Sequence, residues 1–197
     1  MFISFEGIEG SGKTTQANLL YEALGRDNTI LTHEPGGTPV GDQVRQIFLD
    51  NEVLPVAELM LITAARVHHV EEVIRPALKK GKTVICDRFT DSTIAYQGFR
   101  AGLDIGMIID LNEIATQGLF PFRTFLLDLP PEVALQRKTD KNRIDRESLE
   151  IHQKVRDGYI SMAENDSIRF TVLDAMQQPV DIHETILEYF RSYHRED

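Results

Sequence analysis

Five short apolar segments recur along the chain, and each is rich in β-branched or aromatic residues. They lie at Phe2–Phe5, Thr29–Thr32, Thr83–Cys86, Thr124–Leu129 and Arg169–Leu173. Each segment is almost continuously apolar, which is typical of strands that are buried on both faces. The pattern therefore predicts five strands of one sheet, with both faces of the sheet covered.

Apolar residues at helical spacing occupy the stretches between and after these strands. We predict helices over Lys13–Leu24, Val40–Leu49, Val56–Lys80, Ser92–Phe99, Ile105–Gln117, Pro131–Lys138, Glu147–Glu164 and Val180–Tyr193. Strands that alternate with helices favour a parallel sheet with helices on both faces. The composition is 42% hydrophobic, and we see no linker-like tract or internal repeat. We therefore predict a single α/β domain over residues 1–197.

The loop after the first strand carries a phosphate-binding motif. Gly7, Gly12, Lys13 and Thr14 match all four fixed positions of G-x-x-x-x-G-K-[ST], in the strand–loop–helix context that the motif requires. The glycines let successive N–H groups point into one concavity, and the following helix adds the positive end of its dipole. Lys13 can reach the β- and γ-phosphates, and the Thr14 hydroxyl can bind Mg²⁺. The motif predicts a P-loop NTPase fold with five parallel strands.

Two more loops carry polar residues at the carboxyl ends of predicted strands, where such sheets bind ligands. The Glu34–Thr38 loop reads Glu-Pro-Gly-Gly-Thr, which fits either a tight turn or a loop pressed against a small ligand. Asp87 and Arg88 follow the third strand. They fit either a local ion pair or a carboxylate for hydrated Mg²⁺ beside an arginine for a phosphate.

A basic segment follows the fourth strand and the helix after it. Arg137-Lys138-Thr139-Asp140-Lys141-Asn142-Arg143-Ile144-Asp145-Arg146 contains five basic residues in ten positions. It fits either a solvated charged turn or a lid, over residues 137–147, that closes on the transferring phosphoryl group and supplies an arginine.

The charge balance excludes other classes of partner. With 21 basic and 31 acidic residues, the net charge is −10, so we expect no general attraction to nucleic acid or anionic membrane. No apolar run approaches the roughly 20 residues that span a bilayer. A single cysteine, Cys86, excludes an internal disulfide and indicates a reducing compartment. We interpret His68, His69 and His152 as ordinary surface histidines.

These motifs, in this order, resemble those of the bacterial thymidylate kinases, which phosphorylate dTMP with ATP. The resemblance extends essentially end to end. It rests on Phe5–Thr15, Glu34–Thr38, Ala64-Ala65-Arg66, Asp87-Arg88-Phe89 and Ala95-Tyr96-Gln97-Gly98. A GTPase is excluded because no Asn-Lys-x-Asp motif follows a strand.

The resemblance implies roles for individual residues. Those implied to bind ATP are Gly7, Ile8, Glu9, Gly10, Ser11, Gly12, Lys13, Thr14 and Thr15, with Thr14 and Asp87 serving the metal. Those implied to bind dTMP are Glu9, Glu34, Pro35, Arg45, Ile62, Arg66, Arg88, Thr93, Tyr96 and Gln97. Among these, Arg45 and Arg88 would hold the acceptor phosphate and Arg66 and Thr93 the thymine edge. Tyr96 would crowd the sugar 2′ position. From the residues alone, Arg66 fits a solvated or salt-bridged position equally well, and Tyr96 a core aromatic with a satisfied hydroxyl.

The chain departs from the family pattern at two places. Ile62 stands where the family usually has a phenylalanine that stacks on the base, so only dispersion contact remains. The lid is also short, which leaves Arg137, Arg143 and Arg146 as candidates for the catalytic arginine beside Lys13 and Arg88. We favour Arg146, and Ser11 fits the bacterial arrangement in which the lid supplies this arginine.

The implied enzyme transfers the γ-phosphoryl group of ATP to dTMP with Mg²⁺, and is a cytoplasmic homodimer. One alternative is a P-loop kinase for another pyrimidine nucleotide or a deoxynucleoside. A second is a regulatory switch that binds nucleotide without an acceptor, although such a switch needs no second phosphate site.

Overall fold

The computed structural model describes residues 1–139 and 143–193. Its five strands are β1 (Phe2–Glu6), β2 (Thr29–His33), β3 (Thr83–Asp87), β4 (Arg123–Asp128) and β5 (Phe170–Asp174). They form one sheet in the order β2-β3-β1-β4-β5, and all neighbouring strands are parallel. The predicted α/β class with a five-stranded parallel sheet is confirmed.

Helices connect the strands on both faces of the sheet. They are α1 (Lys13–Leu24), α2 (Pro39–Asp50), α3 (Pro55–His69), α4 (Arg75–Lys79), α5 (Thr90–Thr93), α6 (Ile105–Thr116), α7 (Pro131–Gln136), α8 (Leu149–Asn165) and α9 (Pro179–Tyr193). A π-helical segment, Val70–Ile74, joins α3 to α4, and a second, Ile94–Arg100, continues α5. A single 3₁₀ turn, Ile144–Arg146, precedes α8. No helix in these described ranges is long and apolar enough to cross a membrane.

The two faces of the sheet bury different clusters, because successive strand residues point to opposite sides. Ile3 and Phe5 lie on the side covered by α1, α8 and α9, where the rings of Phe5 and Phe125 stack 5.4 Å apart. Phe2 points to the other side and packs edge-on against Phe89 at 5.0 Å, beneath α4. Burial on both faces explains the nearly continuous apolar character of the strands.

Sequence and structure differ mainly where helices change their winding. The predicted helix Val56–Lys80 is interrupted by the first π-helical segment, and the predicted helix Ser92–Phe99 begins two residues earlier, at Thr90. The periodicity of apolar residues does not distinguish a short π-helical segment from α-helix, because both keep a buried face. Such segments are frequent near functional sites.

Candidate active site

Residues at the carboxyl ends of the strands surround one cleft of about 1120 Å³. The phosphate-binding loop lines one part of it, and residues from α3 and from the second π-helical segment line another. Most predicted site residues border the cleft: Glu9, Gly10, Ser11, Gly12, Lys13, Thr14, Thr15, Glu34, Pro35, Arg45, Ile62, Arg66, Asp87, Arg88, Thr93, Tyr96, Gln97, Arg137 and Arg143. Gly7 and Ile8 are buried within the loop itself.

Close packing against α7 maintains the turned conformation of the phosphate-binding loop. Gly10 has a φ of 78°, and a Cβ at this position would lie 2.2 Å from the carbonyl oxygen of Ala134, so glycine is required. Lys13 bends back over the loop and donates to the carbonyl oxygen of Ile8 at 2.7 Å. Burial lowers the pKa of Lys13 to about 8, and the nearby Arg88 cation acts in the same direction. An anion bound in the loop would favour the charged form of this lysine.

Thr14 and Asp87 meet at the edge of the loop. The Thr14 hydroxyl donates to Oδ2 of Asp87. The other oxygen, Oδ1, is buried and has no hydrogen-bond partner among the residues that the structure describes. Such oxygens suit Mg²⁺, which in P-loop proteins takes further ligands from phosphates and water. No cluster of three acidic, histidine or cysteine residues that could hold a metal occurs within the described ranges. The residues therefore fit a nucleotide-bound Mg²⁺.

Arg88 lies between the loop and the opposite side of the cleft. Its φ of 71° is left-handed, which is uncommon for a residue other than glycine. Its Nη2 donates to Oε1 of Glu9 at 2.8 Å, and the Tyr96 hydroxyl donates to the other Glu9 oxygen. Burial would raise the pKa of Glu9, but the cations of Arg88 and Lys13 and the Tyr96 hydrogen bond lower it to about 2. The ionised Glu9 thus connects the loop to the opposite side.

Arg66 is 1% exposed and forms an ion pair with Glu34, so the solvated alternative is wrong and the salt-bridged one is right. Its Nε donates to Oε2 of Glu34 at 2.8 Å, and its Nη1 donates to Oδ1 of Asn112 at 2.5 Å. Its Nη2 donates to the Thr93 hydroxyl at 2.9 Å. Burial would raise the pKa of Glu34, but Arg66 and His69 hold it below its usual value.

The prediction of surface histidines is wrong for His69 and His152, which are 0% and 2% exposed, and is right for His68. The His69 ring lies between two polar groups, with Nδ1 2.8 Å from Oε1 of Glu34 and Nε2 2.6 Å from the Thr32 hydroxyl. His69 follows Arg66 by three residues, so both face the same side of α3. Burial of one indicates burial of the other.

The remaining predicted acceptor residues border the same space. Arg45 donates to the carbonyl oxygen of Pro35 at 3.2 Å. Ile62 lies one helical turn before Arg66, and Gln97 is 2% exposed. Their positions are compatible with an acceptor nucleotide, and their individual roles stay predictions.

The basic segment contributes two of its three candidate arginines to the cleft. Arg137 and Arg143 line it, whereas Arg146 is exposed and stands outside the lining. The part of the predicted lid that lies outside the described residues is Asp140, Lys141 and Asn142. Which arginine acts in catalysis stays a prediction, although the geometry favours Arg137 or Arg143 over Arg146.

Sequence reasoning missed an ion-pair cluster that attaches the basic segment to the rest of the protein. Arg100 donates from Nη1 to Glu147 at 2.7 Å and from Nη2 to Glu58 at 3.2 Å. Nη2 of Arg143 lies 4.0 Å from the same Glu58 carboxylate. Glu58 precedes Ile62 by one helical turn, so the two residues share a face of α3. This spacing was the sequence signal that could have placed Glu58 beside the cleft.

A buried carboxylate beneath Arg88 was also missed. Glu6 accepts hydrogen bonds from the Phe89 amide at 2.7 Å, from the Ser92 hydroxyl at 2.6 Å and from the Tyr159 hydroxyl at 3.0 Å. Burial raises the pKa of Glu6 to about 7, with a further contribution from the charge of Asp91. A glutamate that ends an apolar strand was a signal, whereas Tyr159 gave none because core helices often carry tyrosine.

Comparisons with known proteins agree with this geometry. The family model described as thymidylate kinase matches residues 5–186. A thymidylate kinase of Geobacter sp. (strain M21) is 52% identical over 188 residues, covering 88% of this chain and 83% of that protein. A thymidylate kinase of Geotalea uraniireducens is 48% identical over 190 residues, covering 89% of each chain.

A solved structure gives the same result for the fold. The crystal structure of thymidylate kinase from Ehrlichia chaffeensis superposes with a TM-score of 0.81 at 35% identity, covering 96% of this chain and 98% of that one. The predicted P-loop NTPase fold and the resemblance noted from the motifs are both confirmed. The chain belongs to the thymidylate kinase family.

Proposed function

We propose that this protein is a thymidylate kinase that transfers the γ-phosphoryl group of ATP to dTMP, giving ADP and dTDP. One observation carries the proposal beyond family membership. The phosphate-binding lysine Lys13 and the arginine Arg88 border the same cleft, and Glu9 lies within reach of both. A cation for each of two phosphate groups, in one cleft, is what transfer between two nucleotides requires.

The loop side would bind the donor. Backbone N–H groups of the loop and the Lys13 ammonium would hold the β- and γ-phosphates. Thr14 and Asp87 would hold Mg²⁺, directly or through water, and bound Mg²⁺ would neutralise charge on the phosphate oxygens. The buried Oδ1 of Asp87, which has no hydrogen-bond partner in the described part of the chain, supports this assignment.

The opposite side would bind the acceptor. Arg88 and Arg45 would hold the dTMP phosphate, and Arg66 and Thr93 the carbonyl edge of thymine. Tyr96 and Glu9, which are hydrogen-bonded to each other, would face the sugar. Glu34, Pro35, Ile62 and Gln97 would complete the wall around the nucleoside.

The chemistry needs positioning and charge neutralisation more than proton transfer. The attacking oxygen of dTMP is already anionic, so no strong general base is required. Lys13, Arg88 and one lid arginine from residues 137–147 would hold the two phosphates in line and stabilise the charge on the transferring group. Arg137 and Arg143 line the cleft, which supports this role for one of them.

We also propose that the enzyme is a single-domain cytoplasmic protein that works as a homodimer. Large apolar side chains are exposed on α3 and α6: Val56, Met60, Val67, Ile109 and Ile114. Exposed apolar side chains on two helices that pack against each other support an interface between chains. Sedimentation equilibrium of the protein, and of a variant with Met60→Glu, tests the dimer. A monomer at micromolar concentration of the unaltered chain would refute it.

A coupled ADP-release assay with ATP, Mg²⁺ and a panel of acceptors tests the function. We expect rapid ADP release with dTMP. Release should be much slower with dUMP, dCMP, ribothymidine monophosphate or thymidine. The Lys13→Ala variant should lose turnover while keeping its affinity for dTMP, because Lys13 contacts the donor. Equal rates with all acceptors, or near-normal kcat in Lys13→Ala, would contradict the proposal.

A further inference from the structure

The guanidinium of Arg88 is held by several protein groups, two of which, Ser92 and Tyr159, have no proposed contact with either nucleotide. Its Nη1 lies within hydrogen-bond distance of three oxygens: the Gly7 carbonyl at 3.3 Å, the Ser92 hydroxyl at 3.2 Å and the Tyr159 hydroxyl at 3.3 Å. Its Nη2 is bound to Glu9. The Nε–H group forms no hydrogen bond with any residue in the described ranges, so it is available to a ligand in the cleft.

Glu6 determines which way the two hydroxyl groups point. Ser92 and Tyr159 both donate to Oε2 of Glu6, at 2.6 Å and 3.0 Å. A carboxylate oxygen that carries no proton accepts hydrogen bonds, and in this arrangement both hydroxyl groups direct their protons to Oε2. The two hydroxyl oxygens also lie 2.8 Å from each other, and each keeps a lone pair that can accept from Nη1 of Arg88. Glu6 thus acts on Arg88 indirectly, through two neutral hydroxyl groups that accept hydrogen bonds from its guanidinium.

The fold brings Tyr159 to this position from a distant part of the chain. Helix α8 packs closely on the second π-helical segment, because residue 158 is glycine. A Cβ on Gly158 would lie 2.6 Å from Cγ of Phe99. Tyr159 is consequently 1% exposed and its ring meets the ring of Tyr96 edge-on at 6.5 Å. Its hydroxyl reaches Arg88, which lies 71 positions earlier in the sequence.

We propose that Tyr159 is a positioning residue for the acceptor phosphate, acting through Arg88. Its hydroxyl, oriented by Glu6 and assisted by Ser92, fixes the plane of the guanidinium so that the remaining donors face the phosphate of dTMP. The inference rests on the proposed function, because it needs Arg88 to bind that phosphate. The backbone of Arg88 is left-handed, and the hydrogen bonds of its Nη1 are long. The orientation of the guanidinium therefore depends on the hydroxyl groups that accept from it.

The Tyr159→Phe variant removes only the hydroxyl oxygen. Hydrogen bonds to charged groups contribute about 1.5–3 kcal/mol, and Nη1 has two other acceptors, so we expect kcat/KM for dTMP to fall about 5- to 20-fold. The KM for ATP should change by less than about twofold. The inhibition constant of thymidine, which has the base and sugar of dTMP and no phosphate, should stay unchanged. Tyr21→Phe is the matched control, since Tyr21 is half-buried outside the cleft.

A double-mutant cycle with Arg88→Ala separates this inference from the proposed function. If Tyr159 acts through Arg88, then Tyr159→Phe has no further effect on dTMP binding in the Arg88→Ala background. If Arg88→Ala alone leaves dTMP binding unchanged, the acceptor assignment of the proposed function fails. If Arg88→Ala weakens dTMP binding and the two effects are additive, the inference about Tyr159 is refuted while the function stands.

A general structural role would give a different result. Loss of packing would weaken thymidine and dTMP equally, and that outcome, or an unchanged kcat/KM in Tyr159→Phe, overturns the inference. If Tyr159→Phe is unfolded at the assay temperature, Ser92→Ala carries the same test with the same expected loss for dTMP and none for thymidine. Glu6→Gln should reproduce the phosphate-specific loss, because an amide N–H would turn hydroxyl protons toward Arg88.

Discussion

Replacing Arg66 by methionine separates the contribution of this residue to stability from its proposed role in base recognition. The guanidinium is buried, and it neutralises the carboxylate of Glu34, which is 4% exposed. Methionine retains an unbranched side-chain stem but carries no charge and lacks the terminal guanidinium group. The main effect is that Glu34 stays buried and retains only His69 as a charged or polar side-chain partner among the described residues.

The expected loss of stability follows from this geometry. Breaking a buried ion pair by removing one partner costs about 3–5 kcal/mol. For a domain of this size, each kcal/mol shifts Tm by about 2–4 °C, so Arg66→Met should melt roughly 6–20 °C lower. Thermal unfolding followed by circular dichroism measures the shift. The KM for dTMP should also rise much more than the KM for ATP, if Arg66 recognises thymine.

The loss should depend on pH. In the unaltered protein the pKa of Glu34 lies below its usual value, so its ion pair contributes stability above the unfolded-state pKa of about 4.5 and loses it as pH falls. Without Arg66, burial raises the pKa of Glu34. The folded state then binds a proton that the unfolded state lacks, and stability falls as pH rises. The Tm difference between the two proteins should therefore be larger at pH 8 than at pH 5.

A second replacement provides the control. Adding Glu34→Gln removes the unpaired charge, so the double variant should recover part of the lost Tm, and the pH dependence should disappear. It should not recover dTMP affinity. Recovery of dTMP affinity together with Tm would mean that Arg66 acts only by supporting the fold. No recovery of Tm would refute the reasoning about the buried charge.

Three further changes test other parts of the cleft. Ile62→Phe should lower the KM for dTMP about three- to tenfold by restoring an aromatic contact with the base, and an unchanged KM would place the base elsewhere. Asp87→Asn should raise the Mg²⁺ concentration for half-maximal velocity about 10- to 100-fold, measured by metal titration at saturating ATP. Among the lid arginines, Arg143→Ala or Arg137→Ala should reduce kcat by at least about 10³-fold, with Arg146→Ala close to normal in single-turnover kinetics.

The fold was predictable because its signals are local and repeated. Each strand is a short apolar run, and each helix has its own stripe, so the alternation is visible without any knowledge of contacts. The phosphate-binding loop was predictable for a related reason. Its residues are consecutive, and Gly7–Thr14 forms the site from one segment of chain. Boundaries were less certain, and both π-helical segments escaped because they preserve the buried face.

The supporting residues of the site were not predictable, because their partners are remote in sequence. The proposed role of Tyr159 depends on its hydrogen bond to Glu6, which lies 153 positions earlier. His69 was assigned to the surface because histidine is usually exposed, and only its contact with Glu34, 35 positions away, explains its burial. A polar residue inside an apolar stripe was the available clue for both Glu6 and His69. It showed that a partner must exist and could not show which.

Lys13, Arg88 and Arg66 differ in how far the protein already neutralises them, and this difference suits their proposed tasks. Among the described residues, Lys13 donates hydrogen bonds to a backbone carbonyl and a hydroxyl, both neutral, so a triphosphate would add an anion in direct contact with its ammonium. Arg88 is bound to Glu9 on one side and to neutral oxygens on another, which leaves donors for one phosphate. Arg66 is almost fully engaged by protein groups, and a carbonyl edge needs only one remaining N–H. Affinity for the acceptor phosphate should therefore depend on the plane of Arg88, and selectivity for the base on the rigidity of Arg66.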